Sequence, residues 1–199
     1  HRLLRKDGTI RWVSNTPVLF FNKAQKLVSY EGIVKDITLK KESDLFLAQS
    51  VLKFKILFET SNNAILITED GWITDCNNVA STLFGCDKME IIGKRISDFC
   101  PEYQSDGVLS EVSLYNKTEV ASNGIPQFYK WNFISTQQSI IDAEVTMSVI
   151  DLIDRHYLQI VINDITEINK QKEQERIQKE RLMLELEAKY ETEKKESRI

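Results

Sequence analysis

Gly32-Ile33-Val34-Lys35-Asp36-Ile37-Thr38 and Ile160-Val161-Ile162-Asn163-Asp164-Ile165-Thr166 are one motif written twice in a single chain. Each copy closes a stretch patterned for β-structure, ends in Asp-Ile-Thr and runs directly into a Lys/Glu-rich segment of helical character. The two copies lie a domain length apart, the mark of an internal repeat. Residues 1–38 are therefore expected to be the back end of a unit whose complete version occupies 54–166. Between them a helical linker is expected at 39–53, and a charged helix, readable as a coiled coil, at 167–199. The chain opens at His1 inside a strand-like pattern, so it is expected to belong to something longer.

The complete copy can be read element by element. Ala64-Ile65-Leu66-Ile67-Thr68 and Trp72-Ile73-Thr74-Asp75-Cys76 flank an Asp70-Gly71 turn and predict a hairpin. Asn77 and Asn78 can cap a short helix carrying Val79, Leu83 and Phe84, ended by Gly85. Asp87 opens a second brief helix through Ile91 and Ile92 to Gly93; a third apolar turn holds Ile96 and Phe99 before Pro101; Val108–Val120 reads as a longer helix. Beyond Asn123-Gly124 the period becomes two. Tyr129, Trp131 and Phe133 share a strand face, and Ile141, Ala143, Val145, Met147 and Val149 share a face of the next strand. The last strand, Tyr157–Thr166, points Leu158, Ile160 and Ile162 one way and Tyr157, Val161 and Ile165 the other. Both its faces are apolar, so a helix or a second subunit is expected to cover the outer one.

Two strands, several short helices and three long antiparallel strands ending in Asp-Ile-Thr resemble the PAS domain, a sensor and interaction module of signalling proteins. The resemblance rests on Asp75-Cys76-Asn77-Asn78-Val79-Ala80 with Phe84-Gly85, on Met89-Glu90-Ile91-Ile92-Gly93-Lys94, and, in the partial copy, on Arg5-Lys6-Asp7-Gly8-Thr9-Ile10-Arg11-Trp12-Val13. It implies an α+β fold: a five-stranded antiparallel sheet with short helices on one face, flanked by linker and coiled-coil helices. It also implies a tandem arrangement in a cytoplasmic bacterial signalling protein such as a sensor histidine kinase, with an output domain further along the same chain. The candidate ligand pocket comprises Ile65, Ile67, Cys76, Leu83, Phe99, Tyr129, Trp131, Phe133, Val145, Met147, Ile160 and Ile162.

Composition excludes other classes. With 42% hydrophobic and 28% charged residues the chain is globular rather than disordered. No apolar run approaches the length of a membrane span, so no direct membrane contact is expected. A net charge of -4 disfavours a nucleic-acid binder, which concentrates Lys and Arg against phosphates. The three cysteines, Cys76, Cys86 and Cys100, are too few and too scattered for a disulfide framework or a structural zinc site.

No catalytic centre is legible: no phosphate-cradling glycine string, H-E-x-x-H or G-x-S-x-G motif is present. No cofactor is predicted. Flavin-binding relatives that form a light-driven adduct carry a reactive cysteine where Gly93-Lys94-Arg95-Ile96-Ser97-Asp98-Phe99 has Ile96, and haem binding needs an axial histidine, whereas His156 is expected at a solvated turn. A loosely held flavin or a small organic ligand stays open. Cys76 is read as buried and structural, Cys100 as the more exposed thiol, and the Tyr129, Trp131, Phe133 stripe as either core or a stacking platform.

The helices are the candidate transmission elements. Leu47, Val51, Phe54 and Phe58 follow a four-three-four spacing that fits a dimer seam or a cover for the sheet. Residues 167–199 carry equal numbers of basic and acidic side chains, with Glu175–Lys179, Glu185–Lys189 and Glu191–Lys195 spaced for helical pairing. Two seams are open there, one through Ile165, Ile168, Leu182 and Leu186 and one through Ile177, Leu184 and Ala188. A homodimer through these helices and the outer sheet face is expected. Asp36 and Thr38, with Asp164 and Thr166, are the expected relay residues, coupling a change in the sheet to the helix that follows; simple capping is the alternative.

Overall fold

The computed structural model describes residues 1–152 and 155–196, with side chains described through Tyr190. Contacts divide the chain into two compact units, His1–Leu57 and Phe58–Ile199. In the first, strands β1 (Arg2–Leu4), β2 (Ile10–Phe21) and β3 (Leu27–Asp36) form an antiparallel meander in the order β1-β2-β3. It leads into helix α1 (Thr38–Glu59).

The second unit holds a five-stranded antiparallel sheet. Its strands are β4 (Ala64–Glu69), β5 (Trp72–Cys76), β6 (Gln127–Ile134), β7 (Ile140–Leu152) and β8 (Arg155–Asp164), in the spatial order β5-β4-β8-β7-β6. Between β5 and β6 come α2 (Asn78–Phe84), α3 (Lys88–Ile91), a 3-10 turn (Ile96–Phe99) and α4 (Ser110–Ser122); after β8 comes α5 (Thr166–Glu196). The α+β class, the five-stranded sheet and the order of elements match the expectation from sequence.

Local chemistry explains the elements. The β4–β5 hairpin turns on Asp70 and Gly71, both at positive φ, where glycine carries no Cβ penalty. Gly85 ends α2 in the left-handed region, its amide donating to the Ser81 carbonyl. The short α3 is opened by Asp87, whose amide donates to the Glu90 carboxylate.

Three boundaries lie two residues or more from those expected. The linker helix runs through residues 54–57 to Glu59, because nothing in Leu52-Lys53-Phe54-Lys55-Ile56-Leu57-Phe58-Glu59 breaks a helix before Ser61-Asn62-Asn63. The long helix spans Ser110–Ser122 rather than Val108–Val120. The last strand is Arg155–Asp164, two residues earlier at each end, since Asp164 and Thr166 form a turn that closes the ladder. His156 is thus a strand residue, opposite Asp151 and bonded to it, and is exposed to solvent.

One core occupies the helix-covered face of the sheet. It gathers Ala64 and Leu66 from β4, Trp131 and Phe133 from β6, Ile141, Ala143, Val145 and Met147 from β7, and Leu158, Ile160 and Ile162 from β8, against Ala80, Phe84, Ile91, Phe99 and Leu114. Each large side chain buried here contributes about 2 kcal/mol of hydrophobic stabilisation.

Asn77 knits this unit together. Fully buried, its side-chain oxygen accepts from the amides of Ile65 (3.0 Å) and Ala80 (3.1 Å), and its side-chain nitrogen donates to the carbonyls of Phe58 (3.0 Å) and Asn63 (2.9 Å). One carboxamide therefore caps α2, fixes the start of β4 and holds the end of α1. Asn77→Ala is expected to lower the unfolding free energy by about 3 kcal/mol, because it strips a cap and strands buried backbone groups. A loss below about 1 kcal/mol in urea denaturation would show that these bonds are dispensable.

Candidate functional site

The candidate pocket residues fall into two sets. Cys76, Phe99, Trp131, Phe133, Val145, Met147, Ile160 and Ile162 lie in the core, with Leu83 and Tyr129 packed partly buried against it. Ile65 and Ile67 do not join them. Alternation along β4 turns Ala64 and Leu66 toward the helices, which places Ile65 and Ile67 on the opposite face of the sheet. Residues 64–67 are all apolar, so their sequence alone does not mark which half faces inward.

Aromatic rings fill much of the space between α2 and the sheet. Phe84 lies 4.4 Å from Phe99 and 5.7 Å, edge to face, from Phe133. Tyr129 meets Trp131 edge to face at 5.5 Å, and the Lys117 ammonium sits 4.3 Å from the Tyr129 ring centre. Among the described residues two buried hydroxyls have no hydrogen-bond partner, that of Tyr129 beside Trp131 and that of Ser81 on α2. Burial drives the Tyr129 pKa well above the ordinary phenol value. An orphaned hydroxyl in an apolar setting is a place where a small ligand or a water gains a bond.

The thiols differ in character. Burial pushes Cys76 up to about 11, with Lys88 pulling weakly the other way. Cys100, read from sequence as the more exposed thiol, is instead held in place: it accepts from the Trp131 indole nitrogen (3.3 Å) and donates to the Ile96 carbonyl (3.2 Å). Burial pushes it up to about 12 despite the Trp131 bond. Neither offers the electropositive, accessible setting of a reactive thiol.

Both helices that flank the domain are fastened to it at one end of the sheet. The end of α1 is held by Asn77 at Phe58, by the Asn78 amide donating to Glu59 (2.8 Å), and by Lys88, 2.7 Å from Asp75 and 3.7 Å from Glu59. Burial opposes the Lys88 charge, but the hydrogen bond and charge of Asp75, with Glu59, outweigh it and raise its pKa. The start of α5 is held by Asp164 and Thr166. The Asp164 carboxylate accepts from the Thr166 amide (2.9 Å) and hydroxyl (2.5 Å), the Thr166 hydroxyl accepts from the Asp142 amide (2.9 Å), and the Ile165 amide donates to the Asp142 carbonyl (2.8 Å).

The first unit repeats that arrangement. The Asp36 carboxylate accepts from the Thr38 amide (2.9 Å) and hydroxyl (2.6 Å), the Thr38 hydroxyl accepts from the Trp12 amide (2.9 Å), and the Ile37 amide donates to the Trp12 carbonyl (2.8 Å). Here Asp7 and Asp36 both sit below the ordinary carboxylate value, each because a threonine donates to it.

Lys88 and Gln104 escaped the sequence reading. Gln104 spans β6 as a strand would, its amide group donating to the Asn132 carbonyl (3.1 Å) and accepting from the Asn132 amide (2.8 Å). No local pattern marks either residue, since their partners lie far away in sequence. On α5 the ion pairs are Lys170–Glu167, Arg176–Glu173, Arg176–Glu180 and Arg181–Glu185, so Glu185 reaches back to Arg181 rather than on to Lys189. The Glu191–Lys195 pair lies outside the described side chains.

The model of the PAS domain matches residues 62–167, more than half of the chain and all five strands of the sheet. The chain belongs to the PAS family. Among solved structures, the PAS domain of an HTR-like protein from Haloarcula marismortui is 20% identical with a TM-score of 0.51, covering 63% of this chain and 99% of that one. The PAS domain of a protein from Colwellia psychrerythraea is 22% identical (TM-score 0.48; 59% and 98% covered). That of nitrogen regulation protein NR(II) from Vibrio parahaemolyticus is 21% identical (TM-score 0.46; 56% and 96% covered). At 20% identity and a TM-score of 0.51, the Haloarcula likeness speaks for the fold alone. No curated protein sequence matches the chain. No helix among the described residues is long and apolar enough to cross a membrane.

The thiols of this PAS domain yield a direct test. In the native protein at mildly alkaline pH, iodoacetamide is expected to modify Cys86, the least buried in its effect on pKa, well before Cys76 and Cys100. Mass spectrometry showing equal labelling of all three would contradict the packing described.

Proposed function

We propose that the chain is a non-catalytic signal-transmission segment. Its complete PAS domain receives a ligand, redox or partner signal and passes it through α5 to an output domain further along the protein. The observation that carries this reading is the fastening of both flanking helices to adjoining strands. Ala64 at the start of β4 pairs with Ile162 near the end of β8, so the exit of α1 and the entry of α5 share one edge of the fold. A shift of β4 against β8 therefore reaches both helices. Asp164 and Thr166 are the relay residues at the second junction, and Asp36 and Thr38 at the first, where the three-stranded meander reads as the tail of a preceding PAS domain in tandem.

A homodimer is part of the proposal. Leu47, Val51 and Phe54 on α1 are exposed, as are Ile177, Leu182, Leu184 and Leu186 on α5, and helices of such polarity gain stability by pairing. A cytoplasmic location in a bacterial two-component protein fits this reading. Asp164→Ala is expected to uncouple α5 from the sheet and to change output activity in the full-length protein by about tenfold, the effect of about 1.4 kcal/mol on a two-state equilibrium. Full signal response in that variant would remove Asp164 from the relay.

The packing of Phe84 against Phe99 and Phe133 favours a second reading, a PAS dimerisation module with no ligand. The orphaned Tyr129 hydroxyl favours a ligand instead. Tyr129→Phe separates the two. Without a ligand, removing the hydroxyl is expected to raise stability by about 1 kcal/mol; with one, the variant loses the bound molecule from native mass spectra. An absorption spectrum of the purified protein addresses flavin, and a visible flavin band would replace both readings with a redox sensor.

A further inference from the structure

The two strand-to-helix junctions are alike beyond Asp-Ile-Thr. Val13 pairs with Asp36 as Ala143 pairs with Asp164, which makes Trp12 and Asp142 equivalent positions on their strands. Arg2 pairs with Trp12 as Asn132 pairs with Asp142, so Arg2 and Asn132 are equivalent on the neighbouring strand. Lys41 and Asn169 each follow the threonine by one helical turn, and their amides donate to Ile37 and Ile165 respectively.

Side chains at these three positions meet in both copies, with different chemistry. In the second unit the Asp142 carboxylate accepts from Asn132 at one oxygen (2.7 Å) and from Asn169 at the other (3.1 Å). In the first, the Trp12 ring receives the Arg2 guanidinium at 5.6 Å and the Lys41 ammonium at 5.9 Å, both within cation–π range. A carboxylate between two carboxamides stands in one copy where an aromatic ring between two cations stands in the other. A central acceptor gripped by two donors is retained while every residue type has changed.

We propose that Asn132, Asp142 and Asn169 form a clamp that sets the direction in which α5 leaves the sheet, and that Arg2, Trp12 and Lys41 are its counterpart for α1. The assignment deepens the relay reading and rests on it for its purpose, because a helix that transmits a shift must be held by more than its first residue. Asp164 and Thr166 fix the backbone at the helix start. The clamp adds a second point one turn along, and two points define an axis where one leaves it free to swing. Asp142 serves both: its backbone bonds to Ile165 and Thr166, and its side chain to Asn169. Asn132, from the edge strand, holds that side chain in place. These are positioning residues.

Amide hydrogen exchange on the whole chain provides the test, read at Ile165 and Lys170. Asn169→Ala is expected to speed exchange there by about five- to tenfold, the effect of losing one half-exposed bond to a charged group. Lys172→Ala, on the same helix, is expected to leave it unchanged. Asp142→Trp alone is expected to loosen the same amides, and the triple graft Asn132→Arg, Asp142→Trp, Asn169→Lys to restore protection by importing the other copy's chemistry. The clamp is overturned if Asn169→Ala matches the Lys172→Ala control, or if the graft exchanges as fast as Asp142→Trp alone. Should Asp142→Trp fail to fold, Asn132→Ala combined with Asn169→Ala decides: more loosening than Asn169→Ala alone supports the clamp, and none counts against it. A loosened α5 with unaltered output in the full-length protein upholds the clamp and removes the relay reading instead.

Discussion

The antiparallel pairing of β4 with β8 is the constraint on which the arrangement depends. It joins the first and last strands of the PAS domain, residues nearly a hundred positions apart, and sets Ala64 across from Ile162. Loop-closure entropy opposes so distant a contact. The apolar residues that β4 and β8 turn inward offset it, because Leu66, Ile160 and Ile162 are wholly removed from water only when the two strands lie side by side. Once that pair forms, the remaining strands extend the sheet in both directions, and the chain's entry and exit are brought to one place.

Both ends are then secured by polar groups, for a physical reason. A helix leaving a sheet has backbone donors and acceptors that neither element satisfies, and buried ones carry a penalty of about 1–3 kcal/mol each. Asn77 answers this at the incoming helix and Asp142, Asp164 and Thr166 at the outgoing one. In the proposed relay, the same bonds that complete the backbone also carry position. A displacement of β8 cannot occur without moving or breaking them, so the capping that the bonds provide and the relay proposed for them draw on one set of contacts.

The interior combines close aromatic packing with unsatisfied polarity. Phe84, Phe99 and Phe133 occupy the space under α2, while the Tyr129 hydroxyl lies buried and unpartnered near Cys100 and Trp131. A core built for stability alone has little reason to keep such a hydroxyl, since phenylalanine fills the same volume without the desolvation cost. The first unit lacks such an interior: its strands are exposed along most of their length, with Val13 and Thr38 as its buried residues.

Local chemistry written in the residues themselves determined the order of elements, the hairpin at Asp70-Gly71, the caps at Asn77 and Gly85 and the twin Asp-Ile-Thr junctions. Such features depend on neighbours a few positions away, and period and turn residues report them faithfully. Tertiary structure alone decided the rest. Ile65 and Ile67 could not be told from Leu66 within a continuous apolar run, because only the packing of helices onto one face of the sheet distinguishes inside from outside. The shielding of Cys100 by Trp131, the grip of Gln104 on Asn132, and the matched clamps around Trp12 and Asp142 join residues that only the folded sheet brings together. Contacts between distant positions leave no trace in spacing, so they come into being, and into view, with the fold.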